Sequence, residues 1–133
     1  MLEAGRNPFL VNSAADFRQL YGMTMSSPPW VPRIVLAAIA ERYQERREEL
    51  AEIFDDFHAS EPMTARLKAI LAPTVLVWGR KDRLLHVSAA QLWANGIPGA
   101  RLEILEGIGH MPMVERPREM AELYRAFLER PRR

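Results

Sequence analysis

The chain has 133 residues, 18 of them basic and 17 acidic, with a net charge of +1 at neutral pH. That length suits a single domain, and the 48% apolar fraction is that of a folded globular protein. A near-neutral balance, with basic residues interspersed among glutamates, argues against a nucleic-acid partner, and the absence of cysteine excludes a disulfide scaffold.

No apolar run approaches the roughly 18 residues of a transmembrane helix. The N-terminus lacks the apolar stretch of a signal peptide, which leaves the compartment undetermined with a lean to the cytoplasm. The first part, to about Ser60, reads as helical. Ser13-Ala-Ala-Asp16 has the form of a capping box and predicts a short helix running to about Tyr21. The breaker cluster Ser26–Pro32 ends it. One long helix then fits Arg33 to about Phe57, with Ile34, Val35, Ala38, Ile39, Tyr43, Leu50, Ile53, Phe54 and Phe57 on a broad apolar stripe. Its charged middle, Glu41–Glu52, has pairs at i,i+4 and is expected to face water. Composition shifts near Glu61-Pro62, so two parts are expected: residues 1–60 as a helical segment and residues 61–133 as an α/β piece.

The second part alternates strand, helix, strand, helix. Thr74–Trp78 is apolar throughout, as in a strand covered on both faces. A helix over Val87–Asn95 follows and stops at Asn95-Gly96. Leu102–Leu105 is the next strand, and a crossover helix between two strands forces parallel pairing. The last helix begins at Pro117, a favourable first-turn position, and Met120, Leu123, Tyr124, Phe127 and Leu128 form a stripe suited to packing on a sheet.

Polar residues follow each strand. Asp82 lies just beyond the first, in Trp78-Gly-Arg-Lys-Asp82, and His110 just beyond the second, in Gly107-Ile-Gly-His110. An acid and an imidazole emerging at the same end of neighbouring parallel strands can share a proton: the carboxylate fixes the tautomer and the imidazole deprotonates a nucleophile. Asp82 alone equally suits an Asx-turn or a helix cap. For His110 the plainer reading is a histidine bonded to a backbone carbonyl.

These segments resemble the C-terminal part of an α/β-hydrolase. The resemblance rests on Trp78–Asp82, on the 28-residue interval from Asp82 to His110, and on the GxGHMPMVERP run ending at Pro117. Asn7–Phe17 and the Pro-rich Ser27–Pro32 are similar to the cap of microbial lipases and esterases of the monoacylglycerol-lipase-like branch. The likeness covers roughly residues 7–129. It implies a partial α/β-hydrolase fold, a helical cap followed by a β-α-β-α unit with two parallel strands, in which Asp82 is the acid and His110 the base. It implies an apolar ester as substrate of the intact enzyme and no cofactor. C–C bond hydrolases and epoxide hydrolases share the fold and remain alternatives.

The departure is the nucleophile. No G-x-S-x-G occurs: the serines are Ser13, Ser26, Ser27, Ser60 and Ser88, and none has glycines two positions to either side. The family's oxyanion-hole loop is also missing. The chain is therefore expected to be a fragment, a truncated product or a degenerate hydrolase, inactive alone. A rival reading is a non-catalytic interaction protein. Two parallel strands leave edges and faces uncovered, so a homo-oligomer, most simply a two-fold dimer, is expected.

Other residues point elsewhere. His86 reads as a loop or first-turn side chain, and His58 as a helix-end residue favouring the dipole. Three scattered histidines make no metal site. Glu106 and Glu115 flank His110, but neither ends a separate strand. Ser26 and Ser27 have no strand before them to form an elbow. Phe17, Tyr21, Met23, Met25 and Trp30 suit either an acyl-chain tunnel or ordinary packing.

Overall fold

A computed structural model of the protein describes residues 7–59 and 62–129, apart from the side chains of Phe57 and His58. The expectations for those two side chains, for Ser60, and for a boundary at residues 60–61 lie outside the described residues. The chain divides into two compact units. One comprises Met1–Gly22 with Pro29–Glu61, the other Met23–Pro28 with Pro62–Arg133.

The first unit is helical. Helix α1 spans Ala14–Thr24, with its last two residues assigned to the other unit. The Ser13 hydroxyl accepts a hydrogen bond from the Asp16 amide at 3.1 Å, which satisfies one of the orphan donors of the first turn. The Asp16 carboxylate reaches back to the Asn12 amide, one residue earlier than a capping box requires. Phe17 and Leu20 are buried, and the Phe17 ring lies 5.2 Å from that of Tyr43.

The single long helix expected over 33–57 is two helices, α2 (Arg33–Glu45) and α3 (Arg47–Ala59). Arg46 between them adopts φ −99°, ψ 15°, the sparsely populated bridge region. No glycine or proline marks the break. Contacts distant in sequence accompany it: Arg47 Nε donates to Asn12 Oδ1 at 2.7 Å, and Phe54 stacks at a tilt on Phe9. The Arg42–Glu45 and Arg46–Glu49 pairs span i,i+3 and are exposed, so the charged stretch faces water as expected. Among its described side chains the apolar stripe is covered only in part, with Tyr43, Leu50 and Phe54 half-buried. Only Ala40 of α2 is buried, while Ile34, Val35, Ile39 and Ile53 are exposed.

The second unit has the expected β-α-β-α order with two additions. A 3-10 helix, Met63–Ala69, precedes the sheet and buries Leu67 beside Gly96. Strand β1 is Val75–Gly79, helix α4 Ser88–Gly96 and strand β2 Arg101–Leu105. The strands pair in parallel, from Val75 opposite Arg101 to Gly79 opposite Leu105. A one-turn helix, α5 (Pro112–Glu115), then leads into α6, Pro117–Leu128.

The α6 stripe turns toward the sheet without sealing on it. No residue of α6 is buried, and Tyr124 and Leu128 are about 60% exposed. An apolar groove of about 450 Å³ runs between Met120, Leu123 and Phe127 on the helix and Val75 and Val77 on β1. Val75 and Val77 beside the groove are half-buried, and so are Leu76 and Trp78 on the other face, so β1 is not fully covered on either side. Among the described residues no helix is long and apolar enough to cross a membrane.

Candidate active site

Register decides what meets at the ends of the strands. Gly79 and Leu105 are the last paired residues, so the chain leaves both strands side by side. The two exit loops remain bonded: Arg80 N donates to Leu105 O and Lys81 N to Ile108 O, at 2.9 and 2.8 Å. Asp82 and His110 thus begin from neighbouring, tied backbones.

The Asp82 carboxylate divides its work between two oxygens. Oδ1 accepts the amides of Leu84 and Leu85 at 2.8 and 2.9 Å, an Asx-type turn that locks the side chain. Oδ2 lies 2.8 Å from His110 Nδ1. Turn chemistry and the histidine bond are therefore both present. The carboxyl side chain is 5% exposed and the imidazole 37%. Against an ionised carboxylate, which only accepts, Nδ1 would be the donor, leaving Nε2 with its lone pair in a neutral ring. The pair has the geometry of an oriented base.

The His110 loop is held from the other side by the segment 23–28 of the same unit. His110 N donates to Thr24 O at 2.9 Å. Gly109 lies so close to this segment that a Cβ would fall 2.7 Å from Ser26 N and 2.9 Å from Met25 Cα. A Cβ on Gly79 would collide with the carbonyl oxygens of Ile108 and Gly109. These glycines let three backbones stack. Gly107 has a different duty, since its φ of +76° is one that side chains resist.

The remaining polar residues fall outside the pair. His86 Nδ1 lies 2.9 Å from Ser88 Oγ and accepts the Ser88 amide at the start of α4. Glu106 binds Arg80 through one oxygen, and this hydrogen bond holds its carboxyl below the usual carboxylate range while raising the guanidinium. Glu115 does not approach His110 as a rival acid. It accepts the amides of Ser26, Ser27 and Gly109, a role no sequence pattern indicated beyond its place one turn after Pro112. Of the five serines, Ser13 caps α1 and Ser88 pairs with His86. Phe17, Met23 and Met25 are buried, whereas Trp30 is 87% exposed.

A family model described as "Alpha/beta hydrolase family" matches residues 2–123. Lipase 1 of Psychrobacter immobilis is 35% identical over 91% of this chain, which covers 39% of that lipase. Monoacylglycerol lipase abhd6-B of Xenopus laevis is 29% identical over 92% of the chain and 37% of its own length. The crystal structure of a bacterial membrane phospholipase A superposes with a TM-score of 0.89 at 36% identity, over 96% of this chain and 42% of that one. The chain thus spans about two fifths of the length of the relatives it matches.

The close approach of Gly109 yields a test with an internal control. Gly109→Ala is expected to lower stability by about 1–3 kcal/mol, as overpacking does. Gly22→Ala, on α1 with no atom within 4 Å of the added Cβ, should raise it by up to about 1 kcal/mol. Urea unfolding measures both, and changes of the same sign contradict this packing.

Proposed function

Because the chain belongs to the alpha/beta hydrolase family, we propose that it carries the acid and the base of a serine carboxylester hydrolase of lipase or esterase type. The observation that supports this most is the 2.8 Å contact between Asp82 Oδ2 and His110 Nδ1, in the chain order acid then base. Residues 1–60, apart from the segment 23–28 that belongs to the core unit, would serve as the helical cap and 61–133 as the closing piece of the core. An apolar acyl ester is the substrate class, in keeping with the names of the lipase relatives.

Each residue has one task. Asp82 holds the imidazole by its Nδ1 proton. His110 Nε2 takes the hydroxyl proton of a serine as that serine attacks the ester carbonyl. It returns the proton to the departing alcohol oxygen, and a water then repeats the sequence to release the acid. The serine must stand in a strained elbow, which none of the five serines here provides.

A chimera tests the assignment: the chain replaces the segment it matches in the Psychrobacter immobilis lipase. Chimera turnover of short acyl esters is expected, and His110→Ala should cut kcat by about 10³-fold or more. The 133-residue chain alone should show no turnover above buffer. A folded chimera that is inactive, or one indifferent to His110→Ala, overturns the proposal.

For the chain by itself the proposal includes self-association as a two-fold dimer. The open groove beside β1 and the strand edges left unpaired among the described residues support it. Light scattering at micromolar concentration should give twice the 15.3 kDa chain mass. A monomer whose cooperative unfolding is independent of concentration contradicts it.

A further inference from the structure

We infer that Glu115 is a positioning residue for His110, a carboxylate staple that sets where the imidazole stands. The inference rests on the reading of His110 as the base. Glu115 Oε1 accepts the Gly109 amide at 2.7 Å, and Oε2 accepts the amides of Ser26 and Ser27 at 2.9 and 2.8 Å. One side chain therefore joins the residue immediately before His110 to the segment that His110 N itself bonds through Thr24 O.

The arrangement depends on charge and on reach. Three amide donors converge on the two oxygens of one carboxyl group, an arrangement that suits a carboxylate and that a glutamine side chain, with one acceptor oxygen, cannot reproduce. Ser26 and Ser27 lie between the end of α1 and Pro28, where no helix or strand supplies acceptors for their amides. The reach comes from α5: a single turn with Pro112 at its first position brings residue 115 back over residue 109. The chain from Gly109 to Glu115 closes on itself with His110 inside the closure. Asp82 fixes the ring at Nδ1, and Glu115 fixes the backbone that carries the ring.

A loop brace that merely adds stability would give a different result from a positioning residue, and two signals in the full chain separate them. One is amide exchange at Ser26, Ser27 and Gly109. The other is the deshielded imidazole proton expected on His110 Nδ1, which would report the bond to Asp82 and should vanish in Asp82→Asn. In Glu115→Gln the three amides should lose about tenfold or more of their protection. The His110 Nδ1 proton signal should broaden or disappear, while the amides of β1 and β2 stay protected.

Unchanged amide protection overturns the inference, and so does an unchanged imidazole signal beside faster amide exchange, which is the result of a simple brace. Should the Gln variant unfold, Glu115→Asp carries the same two readouts with the charge retained. Unfolding of both variants would make Glu115 a general stability determinant and end the positioning role. If the chimera described above is inactive while Glu115→Gln still abolishes the imidazole signal, the hydrolase reading fails and the staple stands.

Discussion

The in-register parallel pairing of β1 with β2 is the constraint on which the site depends. It makes Gly79 and Leu105 the last partners, so two segments far apart in sequence leave the sheet as neighbours. Two further backbone bonds, from Arg80 and Lys81 to Leu105 and Ile108, carry that pairing beyond the strands. A slip of one residue would turn every side chain to the opposite face and move Asp82 away from His110. The contact between Asp82 and His110 follows from strand register before it owes anything to its own hydrogen bond.

Around that contact the structure trades side-chain volume for proximity. Gly79 and Gly109 hold three layers of backbone closer than any Cβ permits. The amides exposed by such stacking need acceptors, and Glu115 supplies them to Ser26, Ser27 and Gly109. The same economy appears at Asp82, where one oxygen orders the turn and the other meets the imidazole. A carboxylate already locked by its own turn loses little further freedom on holding a histidine, which makes the pair well suited to orient a base.

Sequence reasoning reached the parts governed by local pattern. The short apolar runs before Gly79 and Glu106, with a helical segment between, are enough to place Asp82 and His110 at one end of a parallel pair. Ser13 and the Ser26–Pro32 cluster likewise bound α1. What escaped depends on contacts distant in sequence. Nothing in Gln44-Glu45-Arg46-Arg47 announces a break, and the bonds around it involve Asn12 and Phe9. Glu115 is one glutamate among many until its partners, some 88 residues earlier, are in place. The periodic stripe of α6 marks an apolar face correctly but says nothing of how tightly that face seals, and here it leaves a groove. Ile34 and Ile39 show the same gap between an apolar face and a buried one.

In the proposed hydrolase role, Asp82 holds His110 with the proton on Nδ1 and the free lone pair on Nε2. The tautomer can be read directly from the imidazole ¹⁵N resonances of the folded chain with the ring neutral. A proton on Nδ1 and a bare Nε2 are expected, with that preference lost in Asp82→Asn. A ring protonated on Nε2, or a tautomer indifferent to Asp82, would contradict it.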